Sequence, residues 1–128
     1  MNTLGIDYGL KKVGIAIAIS PLSDPYEVIR YLSTSELIKK IKQICEKERI
    51  EKIVVGVSEG QMAEKTKEFI KNLKKETNIP IHEFDETLST QDAQRLSIES
   101  GMRRSKRKEM EDAIAAAVML QNYLDNLQ

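Results

Sequence analysis

Apolar residues follow two rhythms along this chain. At the N-terminus they come in short dense runs. Thr3–Asp7 and Val13–Ile19 are two such runs, and the turn Gly9–Lys12 between them is short enough for an antiparallel hairpin. Ser20–Pro25 carries two prolines and is expected to be a loop, followed by a third strand over Glu27–Leu32. The run Lys52–Val57, KIVVGV, is continuous and β-branched, as in strands buried on both faces of a sheet. Ile81–Asp85, after Pro80, reads as another strand.

Between these runs the period changes to that of a helix. Ser33 and Glu36 form a capping-box start, and Leu37, Ile38, Ile41, Ile44 and Cys45 then recur on one helical face. Cys45 falls on that apolar stripe and reads as a buried structural thiol. A second helix is predicted from about Ala63 to Lys75, with Thr66, Phe69, Ile70 and Leu73 inward. A short helix over Ser89–Glu99, a basic loop over Gly101–Lys108 and a last helix from about Glu109 to Leu127 complete the chain. The order β-β-β-α-β-α-β-α-α describes an α/β domain spanning residues 1–128, with a mixed sheet covered on its faces. Ligands of such sheets gather beyond the carboxyl ends of the parallel strands.

Composition narrows the choice. A chain of 128 residues suffices for one real core. Lys plus Arg and Asp plus Glu each total 20, so the net charge is zero, and any nucleic-acid site must be a local patch. The single cysteine allows no internal disulfide and suits a reducing cytoplasm. No apolar run is long enough for a membrane span, and no signal-peptide pattern opens the chain. The lone His82, expected to be structural or solvent-facing, rules out a site of several histidines.

Acids stand where a plain core would not place them. Asp7 ends the first strand, Asp85-Glu86 ends the strand after Pro80, and Asp112 opens the last helix. At about 100° per residue, Asp112 shares a face with Ala116, Met119, Leu120, Tyr123 and Leu127. Glu111 turns away with the Gln121, Asn122, Asp125 and Asn126 side. Each acid has an ordinary reading as a turn former, a cap or a partner of the helix dipole. Crowded carboxylates repel, however, and a divalent cation removes that penalty. All-oxygen donors of this kind suit Mg2+ or Mn2+ rather than zinc.

The blocks GIDYGLKKVGIAIA, IEKIVVGV, IHEFDETLST and SKRKEMEDAIAAAVMLQNYL resemble, in order and spacing, the signature blocks of the YqgF/RuvX family. These are Holliday-junction-resolvase-like proteins, also described as nucleases that mature the 5′ end of pre-16S ribosomal RNA. The resemblance runs from Leu4 to Leu124. It implies a ribonuclease H-like, mixed five-stranded sheet with helices on both faces, and an acidic metal site at Asp7, Glu86 and Asp112. Within the acidic pair, Glu86 rather than Asp85 is expected to face the metal. Two departures bear on substrate recognition: Thr87 stands where the family usually has arginine, and Ser58 to Gln61 replaces a proline-containing loop.

The resemblance implies metal-assisted phosphodiester hydrolysis, in which carboxylates hold the ions and the protein adds positioning and electrostatics. Candidate phosphate contacts are Lys11 and Lys12 in the first turn and Arg103, Arg104, Lys106, Arg107 and Lys108 before the last helix. The expected partners are RNA or branched DNA and, with RNA, pre-ribosomal particles; a binding protein without catalysis is the other reading. An actin-like ATPase shares the opening hairpin but needs two such lobes, and a chain of this length supplies one.

Overall fold

A computed structural model of the chain describes residues 1–86 and 92–127. The strands are β1 (Thr3–Asp7), β2 (Lys12–Ala18), β3 (Ser23–Arg30), β4 (Lys52–Val57) and β5 (Ile81–Asp85). The helices are α1 (Thr34–Lys47), α2 (Gln61–Glu76), α3 (Asp92–Glu99), α4 (Arg104–Glu109) and α5 (Glu111–Asp125). The sheet order is β3-β2-β1-β4-β5. The β1–β2 and β2–β3 pairs are antiparallel, and β4 lies parallel to both β1 and β5. The carboxyl ends of β1, β4 and β5 therefore share one end of the sheet.

Side chains alternate across a strand with a period of two, so each strand supplies both faces. One face carries Leu4, Ile6, Val13, Ile15, Ile17, Ile53 and Val55, packed against α1 and α2 through Leu37, Ile41, Phe69 and Leu73. The other carries Ala16, Ala18 and Val54, packed against Ala116, Ala117, Met119 and Leu120 of α5. Glycines continue this second face. A Cβ on Gly5 would stand 2.9 Å from Leu120 Cβ, and one on Gly14 would run into the backbone carbonyl of Asp112. The long branched residues hold α1 and α2 off the sheet, whereas the small ones let the backbone of α5 approach it.

Several local expectations change. β3 begins at Ser23 and contains Pro25, where a loop was predicted. Pro25 is tolerated because β3 is an edge strand and the register shifts beside it, with Ile15 opposite Glu27 and Ala16 opposite Pro25. The predicted basic loop is largely the short helix α4, separated from α5 at Met110 (φ −99°, ψ 14°). The first residues of the helix predicted from Ser89 lie outside the described residues. Asn122, assigned to the outward side of the last helix, is 3% exposed. Helix α3 packs on α5, and Ile98 joins the cluster that α5 shares with the sheet. The Asn122 side-chain amide donates to the Val118 carbonyl at 3.0 Å. Cys45 is buried in the α1 stripe, and burial pushes its thiol up to about 11. His82 is exposed on β5, its ring tilted toward Tyr123.

Candidate active site

Asp7 is the last residue of β1, the central strand, and pairs across the ladder with Gly14. Being two residues beyond Gly5, it belongs to the α5 face. Gly14 in turn is covered by the start of α5: its missing side chain leaves room for the Asp112 carbonyl and the Ala113 amide. The first turn of α5 thus sits over the residue opposite Asp7. On the other flank, Glu86 follows β5, and its carboxylate folds back over β4. A Cβ on Gly56 would lie 2.7 Å from Glu86 Oε1 and 2.8 Å from Met119 Cγ. In the β5 register Phe84 pairs with Gly56, so Glu86 is in phase with the α5 face, and Asp85, opposite Val57, is out of phase.

The electrostatics register this gathering. The Asp7 carboxyl is pushed up to about 7, first by burial, then by the negative charges of Glu86 and Asp112. Burial, followed by the neighbouring Asp85, also raises the Glu86 carboxyl above the ordinary carboxylate range. Asp112 has a countercharge instead: Lys12 Nζ stands 3.0 Å from its Oδ2. Lys12 is two residues before Gly14 on β2, which puts it on the α5 face, while Lys11 falls in the turn and is exposed. This pairing is a second role for Lys12 beside the expected phosphate contact, and the alternation of β2 contains the signal for it. Among the described residues, no three carboxylate, imidazole or thiol groups already stand at metal-coordinating spacing.

Glu111 is exposed, and Asp112 is half-buried beside it. Arg103 is the N-cap of α4, and Arg104, Lys106, Arg107 and Lys108 are exposed along it, one turn before the helix that carries Asp112. Ser58–Gly60 forms a short connection at the carboxyl end of β4, with Gly60 at φ 84°, and Gln61 begins α2. Thr87 lies outside the described residues. A cavity of about 640 Å³ between α1 and α2, lined by Ile38, Lys42, Gln43 and Asn72, touches none of the three acids.

This topology places the chain among the RuvC-like ribonuclease H folds. Thermus thermophilus RuvC, solved in complex with a Holliday junction substrate, superposes with a TM-score of 0.68 at 15% identity, over 100% of this chain and 97% of that one. The fowlpox virus resolvase, solved with Holliday junction DNA, gives 0.63 at 13% identity over 99% of each chain. At such identities the likeness speaks for the fold. The chain belongs to the RuvX family: the family model described as "RuvX: Holliday junction resolvase" matches residues 1–126. Proteins named "Putative pre-16S rRNA nuclease" from Halothermothrix orenii and Agathobacter rectalis are each 38% identical, covering 98% and 99% of this chain and 95% and 96% of their own lengths. The protein of that name from Clostridium acetobutylicum is 36% identical over 99% of this chain and all of its own.

Proposed function

We propose that this protein is a metal-dependent nuclease that cleaves phosphodiester bonds at the 5′ end of pre-16S ribosomal RNA. The observation that carries the chemistry is Asp7: a half-buried carboxyl at the end of the central strand, burdened by Glu86 and Asp112. The family membership and the names of its relatives carry the substrate class. The donor set fits a hard divalent cation, because it offers carboxylate oxygens whose mutual repulsion such an ion relieves. Asp7, Glu86 and Asp112 would hold Mg2+ or Mn2+, which when bound supplies Lewis acidity to a phosphodiester and acidity to water. Asp7 fixes the centre of the site from the sheet, and Asp112 approaches it from a helix whose start Gly14 admits. Lys12 balances Asp112. Lys11 and the Arg103, Arg104, Lys106, Arg107 and Lys108 group attract and orient the phosphate backbone. Among the described residues no helix is long and apolar enough to cross a membrane. We place the activity in the cytoplasm, on pre-ribosomal particles.

A second reading, resolution of branched DNA, is favoured by the Holliday junction substrates of the two resolvase structures above. One assay separates the readings. Wild type and Asp7→Asn are incubated with Mg2+ or Mn2+ and either a 5′-extended 16S precursor RNA or a four-way DNA junction. Metal-dependent RNA cleavage by wild type alone is the expected result. Junction cleavage alone would transfer the site to DNA. No cleavage of either substrate, with both still bound, would leave a nucleic-acid-binding protein.

A further inference from the structure

At the sheet end that carries Asp7, the β1–β2 turn and the exit of β3 are tied together. The Tyr31 amide donates to the Lys11 carbonyl at 3.4 Å, and the Tyr31 hydroxyl donates to the Gly9 carbonyl at 2.6 Å. Tyr31 itself packs on the core, which fixes what flanks it. Leu10 and Leu32 are thereby held outward, 51% and 98% exposed. With Lys11, Arg30, Tyr31 and Glu36 they line a cleft of about 480 Å³. The Glu36 carboxylate is engaged by Lys40 at 3.2 Å. Lys11 and Arg30 are exposed, and among the described residues no ion pair offsets either charge.

The cleft therefore offers two exposed leucines beside two uncompensated cations, and one of the leucines, Leu10, is three residues along the chain from Asp7. A phosphodiester chain is complementary to the cations. The leucines require an apolar face as well, and a base exposes its face only when it is out of a duplex stack. An acidic partner protein would match the cations too, but it gives no reason for the cleft to sit at the sheet end where the acids gather.

We propose that this cleft receives an unpaired nucleotide of the substrate strand, its base against Leu10 and Leu32 and its phosphates against Lys11 and Arg30. The substrate is then single-stranded on the β3 side of the site. This deepens the nuclease reading and rests on it.

The test is binding without cleavage. Fluorescence anisotropy is measured in the Asp7→Asn protein with a single-stranded RNA and a blunt RNA duplex of equal length. Adding Leu10→Ser and Leu32→Ser, both at exposed positions, is expected to weaken single-strand binding about fivefold and leave duplex binding and the melting temperature unchanged. Adding Lys11→Gln and Arg30→Gln instead is expected to weaken single-strand binding and lower its salt slope by about 0.7 per lost phosphate contact. Leucine variants that bind the single strand as well as their parent, or lose duplex binding equally, overturn the cleft proposal alone. A parent protein that binds neither RNA overturns the nuclease reading with it.

Discussion

The two faces of the sheet are made by the same strands yet built to opposite rules. On the α1–α2 face, Leu4, Ile6, Ile15, Ile53 and Val55 fill a thick apolar layer. On the α5 face the same strands present Gly5, Gly14, Ala16, Ala18 and Gly56. The first face buries large side chains and so contributes most of the hydrophobic stabilisation. The second contributes less per residue but sets distances, since a helix lying on glycine is located by its backbone. Asp7 and Glu86 lie on this second face and Asp112 comes over it from α5. The face with the thinner packing is the one that carries the candidate chemistry.

The comparison can be broken by variants that separate stability from site geometry. Ile41 is fully buried on the thick face. Ile41→Ala is expected to cost about 4 kcal/mol in urea unfolding, yet the protein that remains folded should cleave normally. Gly14→Ala should cost less, about 2–3 kcal/mol, and abolish cleavage, because the new Cβ meets the Asp112 backbone and pushes the start of α5 off the sheet. If Gly14→Ala cleaves as well as wild type, the close approach of α5 has no functional consequence.

A smaller effect follows from pH. The folded-state pKa of Asp7 is about 7, against an ordinary value of 3.8. The folded state thus binds this proton more tightly, and its contribution is fully present below about pH 4 and lost as pH rises through 7. Asp7→Asn removes that loss. Without divalent metal, Asn and wild type should be close in stability near pH 4, with Asn ahead by roughly 1–3 kcal/mol at pH 8. A stability difference that stays constant across this window would show that Asp7 is ionised freely in the fold.

The remaining effects are slight. Lys12 and Asp112 are 45% and 32% exposed, so Lys12→Met should cost less than about 1 kcal/mol. A loss of about 2 kcal/mol or more would mean that the pair anchors α5. Glu111→Gln should change stability by under about 0.5 kcal/mol and leave cleavage intact, whereas Asp112→Asn should abolish it. The reverse outcome would put the functional face of α5 on its solvent side.

Much of this architecture was legible in the sequence. The short dense apolar runs and the stripes at period 3.6 located four strands, the second half of β3 and the long helices, because burial selects apolar residues at those positions. The phase of α5 likewise separated Asp112 from Glu111. Less legible was whatever depends on a neighbour. Pro25 argued against a strand, but an edge with a register shift accepts it. The helical period puts Asn122 on the outward side, because no periodicity announces what another element packs onto α5. The glycines in GIDYGLKKVGIAIA were read within apolar runs and turns. The role of Gly5 and Gly14 as a bed for α5 emerges only with the register that puts Gly14 opposite Asp7. The place of Lys12 in the turn after Asp7 suggests a phosphate contact, whereas its 3.0 Å pairing with Asp112 depends on the same close approach.

The central claim is that Asp7 on the glycine face is a metal ligand, and thermal unfolding tests it most directly. Wild type and Asp7→Asn are melted at pH 7.5 in EDTA and again in millimolar Mn2+. A ligand that binds only the folded state raises the melting temperature. Wild type should gain about 5 °C or more from Mn2+, and Asp7→Asn, though folded and at least as stable in EDTA, should gain almost nothing. An Asp7→Asn protein that gains as much from Mn2+ as wild type does would contradict the account and return Asp7 to the role of a strand-end turn residue.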